Sequence, residues 1–257
     1  MIKEIFSEEF HLLKKIIEEE DIARNYFILL GLSSDKEVFN KIYGEYEGNV
    51  LKAVLFVRKS GLLQFYAPGD FNLDGFAELI FTLNSDKLIG PKLYCDKLFR
   101  TKVFTSATEG AYISRLDKNH ELKHIHRRYK IRNININDLE EIVELYKKVF
   151  PSFSPKDVME KKLITNRGRG ICIEDNNRIV SVAQTDFETK NSSLIVGIAT
   201  DSDYRCKGMA TECTYVLSNI LQEEGKNVFL QYDNPEAGEI YERLGYRRID
   251  RVVHYKK

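Results

Sequence analysis

The sequence has no excess of charge of either sign, because its 39 lysines and arginines balance 39 aspartates and glutamates. A balanced chain has no overall field that would recruit nucleic acid or an anionic membrane, so any anion must bind at a local site. No apolar run approaches the roughly 18 residues that a membrane-spanning helix needs. The opening stretch MIKEIFSEEFHLLKKIIEEE lacks the apolar core of a signal peptide. We therefore expect a cytoplasmic protein.

Proline, glycine and cysteine are also scarce. With 5 prolines, 15 glycines and 43% hydrophobic residues in 257, the composition excludes a disordered or low-complexity chain. The four cysteines form no C-x-x-C pair and have no histidine at zinc-finger spacing. We expect reduced thiols and no metal site, and the length favours two domains.

The amino half shows the mixed patterns of an α/β domain. An amphipathic opening and the segment DIARNYFILLGL, in which Gly31 is a stop signal, predict two short helices. The runs FNKIYGEYE, VLKAVLFV and LLQFYAP predict an antiparallel meander with tight turns. A helix at FNLDGFAELIFTL and strands near KVFTSAT and GAYISRL follow. This half carries no catalytic motif of its own.

A polar and strongly basic stretch, KNHELKHIHRRYKIR, separates the two halves. We place the boundary inside it, with a first domain at residues 1–125 and a second at residues 126–257. RNA binding by Lys123 to Arg132 is the alternative interpretation of this charge. One aromatic residue and a strand-like alternation favour a connecting segment, because clustered positive charge alone is unspecific. We therefore regard nucleic acid as an improbable partner.

The carboxy half alternates strands and helices regularly. Strand YKIRNI precedes helices DLEEIVELYKKVF and DVMEKKLITN, and Ser154 with Pro155 forms a start signal for the second helix. Strands GICIED, RIVSVAQTDFE and SLIVGIAT lead into a helix that ends at Gly225, and VFLQY, PEAGEIYERLGY and RRIDRVVHY follow. The predicted order is β-α-α-β-β-β-α-β-α-β.

The junction GIATDSDYRCKGMATECT connects a predicted strand to a predicted helix. The first turn of a helix leaves several backbone N–H groups without partners and carries partial positive charge. Gly208 lets an anion approach the backbone closely, Ala210 keeps the next turn narrow, and Arg205 and Lys207 add positive charge. This geometry suits a pyrophosphate. The spacing is that of neither the nucleoside triphosphate loop nor the dinucleotide loop.

Two motifs in this half carry a family resemblance. The run R-C-K-G-M-A matches the [RQ]-x-x-G-x-[GA] signature of the GCN5-related N-acetyltransferase (GNAT) superfamily, and N-P-E-A-G-E-I-Y-E-R-L-G-Y resembles a second element of that superfamily. The resemblance covers about Tyr129 to Tyr255. It implies an α/β fold with a mostly antiparallel central sheet flanked by helices, and acetyl-CoA as co-substrate.

The resemblance also implies roles for individual residues. The backbone of β-strand residues Ile198, Ala199 and Thr200 would align the pantetheine arm and the thioester of coenzyme A. Asn234 would contact coenzyme A near the thioester, and Tyr241 would act as general acid beside the sulfur. The pyrophosphate loop would comprise Arg205, Cys206, Lys207, Gly208, Met209, Ala210 and Thr211.

Simpler interpretations of these residues stay open at this point. Tyr241 has the helical spacing of a core residue, and Asn234 before Pro235 has the pattern of a helix cap. Family members often have a glutamate base on the preceding strand, where this chain has Gln231, which cannot take a proton.

Without this glutamate, the sequence identifies neither the general base nor whether the protein is catalytically active. Asp186, Glu188 or water could replace it, or the amine could arrive neutral. The expected function is transfer of an acetyl group to a primary amine of a small molecule or peptide, and the alternative is a non-catalytic protein that senses acyl-CoA. We also expect the amino half to be a degenerate domain of the same fold, and a homodimer is compatible with the sequence.

Overall fold

The computed structural model of the protein describes residues 1–34, 37–116 and 128–257. The chain divides into two compact units. The amino unit consists of Met1–Ile113 together with Arg248–Lys257, and the carboxy unit consists of Ser114–Arg247. The predicted boundary between residues 125 and 126 lies outside the described residues, so the assignment of domains to 1–125 and 126–257 stays a prediction.

The amino unit begins with a short strand and two helical segments. Strand β1 spans Ile2–Glu4, and helix α1 spans Phe10–Leu32 with a break at Asp21, whose φ of −158° and ψ of 100° are not helical. The Asp21 carboxylate accepts hydrogen bonds from the backbone N–H groups of Ala23 and Arg24, so it caps the second segment. The two predicted helices are therefore present, joined at Asp21.

The predicted antiparallel meander is confirmed, and one further prediction is wrong. The remaining elements of this unit are β2 (Phe39–Glu47), β3 (Val50–Arg58), β4 (Leu63–Tyr66), α2 (Leu73–Thr82), β5 (Lys87–Pro91), α3 (Lys92–Arg100) and β6 (Ser106–Leu116). Instead of two strands there is the single strand β6, which contains residues 106–108 of KVFTSAT and all of GAYISRL, because Gly110 continues the extended backbone without a turn. The residues before it, including Lys102 with a φ of +64°, are not extended.

The carboxy unit follows the predicted element order. Its elements are β7 (Ile131–Asn133), α4 (Leu139–Val149), α5 (Lys156–Ile164), β8 (Gly170–Asp175), β9 (Arg178–Asp186), β10 (Ser192–Thr200), α6 (Met209–Glu223), β11 (Asn227–Tyr232) and α7 (Pro235–Arg243). The last element, β12 (Tyr246–Lys256), begins in this unit with Tyr246 and Arg247 and continues in the amino unit. One detail differs: Pro155 is the N-cap residue of α5, and no side chain caps that helix.

The two units repeat one arrangement of strands. In the carboxy unit the sheet order is β11-β10-β9-β8-β7, antiparallel except for the parallel pair β10 and β11. In the amino unit β1 to β4 are antiparallel neighbours and β4 and β5 are parallel. There the neighbour of β5 is β12, which pairs with it antiparallel from Val252 to Lys256. The expectation of a second domain with the same element order is thus met.

The core of the carboxy unit lies on both faces of its sheet. Residues three and four apart on α4, including Ile142, Leu145 and Tyr146, pack with Val182 and Ala199 of the sheet. On the other face Cys213 of α6 lies 3.8 Å from the hydroxyl of Ser181. Since neighbouring strand residues point to opposite faces, the sheet separates α4 from α6. None of the described helices is long and apolar enough to cross a membrane.

Candidate functional site

Strands β10 and β11 pair over only part of their length. The parallel register joins Ser192–Ile195 to Asn227–Leu230 and, within the described residues, does not continue beyond it. Strand β10 runs on to Thr200 and stays paired with β9, where Val196 lies opposite Gln184 and Ala199 opposite Val182. Gly197 and Ile198 therefore form a bulge. The two strands diverge at this point, so the backbone of Val196–Thr200 borders a gap on the β11 side.

Gly197 and Tyr146 fix the bulge. Gly197 has a φ of +60°, and a Cβ atom there would lie 2.1 Å from the hydroxyl oxygen of Tyr146. That hydroxyl donates a hydrogen bond of 2.8 Å to the Gly197 carbonyl and accepts one of 2.8 Å from Nε2 of Gln184. Neither residue was among those predicted to form the site. A glycine inside a strand pattern is the signal for a bulge or a close backbone approach, and it was present in GIAT.

A serine of β9 forms hydrogen bonds with the end of β10. The hydroxyl of Ser181 donates to the carbonyl of Ala199 at 3.2 Å and lies 2.9 Å from the hydroxyl of Thr200. Ala199 and Thr200 are buried, and Ile198 is half-buried. Of the three strand residues in the predicted site, Ile198 in the bulge is therefore the most accessible to a ligand.

Asp201 anchors the loop that follows β10. Its buried carboxylate accepts the backbone N–H of Asp203 at 3.2 Å and pairs with Lys148 at 3.2 Å and with Arg178 at 3.8 Å. The backbone hydrogen bond from Asp203, together with these cations, lowers the pKa of Asp201. Asp201 stays ionised and fixes the direction in which the loop leaves the sheet.

Helix α6 begins at Gly208 without a side-chain cap. Gly208 has a φ of +86°, and nothing lies within 4 Å of the position that a Cβ atom would take. In the first backbone hydrogen bond of the helix, the Glu212 N–H donates to the Gly208 carbonyl at 3.0 Å. The N–H groups of Met209, Ala210 and Thr211 precede this bond and have no partner within the helix. They form the donor set that a bound anion requires.

The equivalent helix of the amino unit, in contrast, begins with a side-chain cap. Helix α2 begins after Asn72, whose side-chain oxygen accepts the Gly75 N–H at 3.0 Å. The Glu45 carboxylate accepts the N–H of Asn72 at 2.8 Å. One first-turn N–H of α2 is therefore bonded by a side chain of the protein, and the Glu45 carboxylate puts a negative charge beside the helix start. Helix α6 has no side-chain cap at its start.

The cationic residues of the loop are exposed and positioned by local contacts. Nε of Arg205 donates to the Thr200 carbonyl at 3.3 Å. Nζ of Lys207 donates to the Asp203 carbonyl at 3.0 Å and lies 4.9 Å from the ring centre of Tyr204. These contacts tether both cationic side chains to the backbone between Thr200 and Asp203. Cys206, between them, is exposed and has a φ of +60°, which helps to turn the loop.

A short segment of the chain is fastened to this loop by Glu212 and Tyr129. The buried carboxylate of Glu212 accepts the backbone N–H of Arg128 at 3.1 Å and that of Tyr129 at 3.3 Å. The hydroxyl of Tyr129 donates to the Lys207 carbonyl at 2.9 Å. These contacts clamp the loop from outside, a role that the sequence analysis did not assign.

Asn234 and Tyr241 lie on α7, which follows β11. The side-chain oxygen of Asn234 accepts the Glu236 N–H at 2.9 Å, so Asn234 is the helix cap and only its Nδ2 group is left to donate to a ligand. Tyr241 is 7% exposed, and its ring centre lies 5.3 Å from that of Tyr232. Burial, together with the neighbouring Tyr232, raises the pKa of Tyr241 well above its usual value.

The acidic candidates for a base occupy different environments. Burial alone would raise the pKa of Glu188, but hydrogen bonds from Arg169, Lys226 and Thr185 outweigh it and hold the pKa below its usual range. A carboxylate fixed in this way is a poor proton acceptor. Asp186 pairs with Lys162 at 2.7 Å. In the described part of the chain no cluster of three or more histidine, cysteine or acidic residues could hold a metal ion.

A comparison with known protein families places this chain in one of them. A family profile described as GNAT acetyltransferase matches residues 92–255. Because the match spans more than half of the chain, the protein belongs to the GNAT acetyltransferase family, which confirms the resemblance given by the two motifs. The match begins at Lys92 in the amino unit, well before Tyr129. The comparison with curated proteins found no match.

Solved structures share the fold over most or all of the chain. A GNAT-family acetyltransferase from Colwellia psychrerythraea has a TM-score of 0.69 at 13% identity, covering 100% of this chain and 99% of that one. A GCN5-related N-acetyltransferase from Kribbella flavida has a TM-score of 0.59 at 12% identity, covering 80% and 86%. A GCN5-related N-acetyltransferase-like protein from Streptococcus suis has a TM-score of 0.54 at 14% identity, covering 96% and 100%. At these identities the likeness concerns the fold.

Proposed function

We propose that this protein is an N-acetyltransferase that moves the acetyl group of acetyl-CoA to a primary amine by direct attack. The observation that carries the proposal is the uncapped start of α6 at Gly208, placed directly after a strand that diverges from its neighbour. Family membership supports the same reaction. In this proposal the donor site belongs to the carboxy unit, since the equivalent helix start of the amino unit is capped by Asn72 and has the Glu45 carboxylate beside it.

The residues of the site fit coenzyme A by their chemistry. The backbone N–H groups from Cys206 to Thr211 would hold the pyrophosphate, and the charges of Arg205 and Lys207 would add to the attraction. The backbone of Ile198 to Thr200 would align the pantetheine arm. Asn234 would donate through Nδ2 near the thioester. Bound acetyl-CoA supplies a thioester that an amine attacks.

Tyr241 acts in this proposal as a hydrogen-bond donor to the leaving sulfur. The reference pKa is about 10 for tyrosine and about 8.5 for a thiol, so full proton transfer from tyrosine to the thiolate is already uphill. Burial raises the pKa of Tyr241 further, which makes transfer harder and keeps the hydroxyl protonated. Stabilisation of the thiolate by a hydrogen bond is therefore the role that the residue serves best.

A substitution pair at the two ends of α6 tests the donor site. Gly208→Glu puts a carboxylate where the pyrophosphate would lie and should abolish the heat of acetyl-CoA binding in calorimetry. Gly225→Glu is the matched control, because Gly225 also has a positive φ, of +75°, and nothing within 4 Å of a Cβ atom. Equal acetyl-CoA affinity in the two variants would show that the donor site is misplaced.

A coenzyme A sensor without transfer activity is the second candidate, and Gln231 favours it. This residue stands on β11 where family members often have a glutamate base. Release of free thiol from acetyl-CoA, measured over a panel of amines and peptides, separates the two functions. Sustained turnover excludes the sensor, whereas acetyl-CoA binding with no turnover on any amine excludes the transferase.

A further inference from the structure

A cavity of about 200 Å³ lies between α4, the start of α5 and the bulge of β10. Most of its wall is apolar or aromatic. These wall residues are Tyr146, Phe150, Phe153, Met159, Val196 and Gly197. The bulge that borders the proposed thioester position is thus also one wall of this cavity.

Aromatic rings give the cavity its shape. The ring of Tyr146 meets that of Phe150 at a centre distance of 5.2 Å and that of Phe153 at 5.6 Å, with interplanar angles of 68° and 62°. Edge-to-face contacts of this kind are favourable and hold the rings in place. An apolar cavity of about 150 Å³ is large enough for a benzene ring. The space beside Tyr146 therefore admits one ring and a short chain.

The polar groups of the wall carry little net charge. The amide of Gln184 is bound to the Tyr146 hydroxyl at 2.8 Å, and Lys162 is paired with Asp186 at 2.7 Å. Among the described residues that line the cavity none is acidic, and Lys162 is basic. A second ammonium group on a ligand would find no carboxylate among the wall residues, and the Asp186 carboxylate is already paired with Lys162. Polyamines are therefore poor occupants.

We propose that the acceptor is a small monoamine whose ring-sized apolar group enters this cavity, with its amino group at the bulge of β10. This inference rests on the proposed function, and it goes beyond it by naming the class of acceptor. The aromatic wall removes the apolar group from water. Gly197 provides the backbone beside which the amine meets the thioester.

Binding of amines without donor tests the inference separately from catalysis. 2-Phenylethylamine and 1,4-diaminobutane are compared by calorimetry and by saturation-transfer NMR on the full chain. We expect the aromatic amine to bind roughly tenfold more tightly, in the range that one apolar group adds in a pocket. Equal affinity, tighter binding of the diamine, or no binding of either amine overturns the inference.

Two variants locate the bound ring. Ser154 lines the cavity, so Ser154→Phe should fill it and weaken 2-phenylethylamine binding by about tenfold or more. Val158→Phe is the control, because Val158 is 39% exposed and outside the cavity wall. Unchanged amine binding in Ser154→Phe refutes this location. Calorimetry with acetyl-CoA on the same variants tests whether they are folded and still bind the donor. Loss of acetyl-CoA binding would count against the proposed function, whereas the amine titration tests the cavity alone.

Discussion

At the scale of single residues, the contact between Gly197 and Tyr146 controls the shape of β10. Gly197→Ala introduces a Cβ atom 2.1 Å from the Tyr146 hydroxyl, at a backbone φ of +60°. Strain of this kind costs about 1–3 kcal/mol. We expect a lower melting temperature and a lower kcat/KM, measured by calorimetry and by thiol release.

The double variant Gly197→Ala, Tyr146→Phe separates steric from conformational strain. Removing the hydroxyl eliminates the 2.1 Å contact and leaves one of 2.8 Å to the ring carbon Cζ, so it should restore part of the stability in a double-mutant cycle. Gly48→Ala serves as control, since Gly48 has a φ of +58° and no atom within 4 Å of a Cβ. An effect at Gly197 no larger than that at Gly48 would mean that Tyr146 does not constrain the bulge.

Tyr241→Phe tests the hydrogen bond to the leaving sulfur. Loss of a hydrogen bond to a charged group costs about 1.5–3 kcal/mol, so kcat should fall by roughly 10- to 100-fold. Acetyl-CoA affinity should stay unchanged, since the bond strengthens only as the thiolate forms. Because burial raises the pKa of Tyr241, the wild-type rate should show no loss on the alkaline side up to pH 9 from this residue. An unchanged kcat would remove Tyr241 from the mechanism.

At the scale of elements, the clamp of Tyr129 and Glu212 holds the loop before α6. Tyr129→Phe deletes the 2.9 Å hydrogen bond to the Lys207 carbonyl and leaves the ring in place. A lost bond of this kind costs about 1 kcal/mol, so the Kd for acetyl-CoA should rise about fivefold. Calorimetry measures the change, with Tyr43→Phe of the amino unit as control. Equal affinities for both variants would show that the loop needs no clamp.

Glu188 joins three elements at the base of the carboxy sheet. It accepts hydrogen bonds from Arg169 before β8, Thr185 of β9 and Lys226 before β11. These hydrogen bonds outweigh the effect of burial and lower the pKa of Glu188 in the folded protein. Their stabilisation is complete above the pKa of the unfolded chain, about 4.3, and is lost as the pH falls through the pKa of the folded protein. Glu188→Gln should destabilise by about 2 kcal/mol at pH 7. Urea unfolding should show this difference shrink below about pH 4, and a constant difference would contradict it.

The sequence predicted the elements better than their contacts. Periodic apolar residues mark α4 and α6, and Gly208 marks the start of α6, because these signals are local. The bulge at Gly197 depends on Tyr146, which is 51 residues away. Likewise the Glu212 carboxylate meets Tyr129, 83 residues away, so no local pattern identifies the clamp. The base was left open in the sequence, and the ion pairs that occupy Glu188 are visible only in the fold.

At the scale of the whole molecule, the last strand belongs to two units. Tyr246 and Arg247 lie in the carboxy unit, and Arg248–Lys257 complete the amino unit. A single domain boundary in the sequence cannot describe a chain whose last ten residues come back to the amino unit. This return is visible only when the pairing of β12 with β5 is known. The family match likewise begins in the amino unit, at Lys92, and the structural likeness to the Colwellia psychrerythraea protein covers both units.

Because Arg248–Lys257 belong to the amino unit, we expect this carboxy-terminal segment to stabilise that unit. Tyr255 is fully buried, its hydroxyl donates to Asp96 at 2.6 Å, and its ring lies 5.5 Å from that of Phe99. Tyr255→Ala should cost about 3–5 kcal/mol, the range for removal of a large buried ring. Its neighbour Lys256 is exposed, so Lys256→Ala keeps the strand and should cost under about 0.5 kcal/mol. Urea unfolding measures both variants, and a similar small loss in each would mean that the amino unit does not depend on this strand.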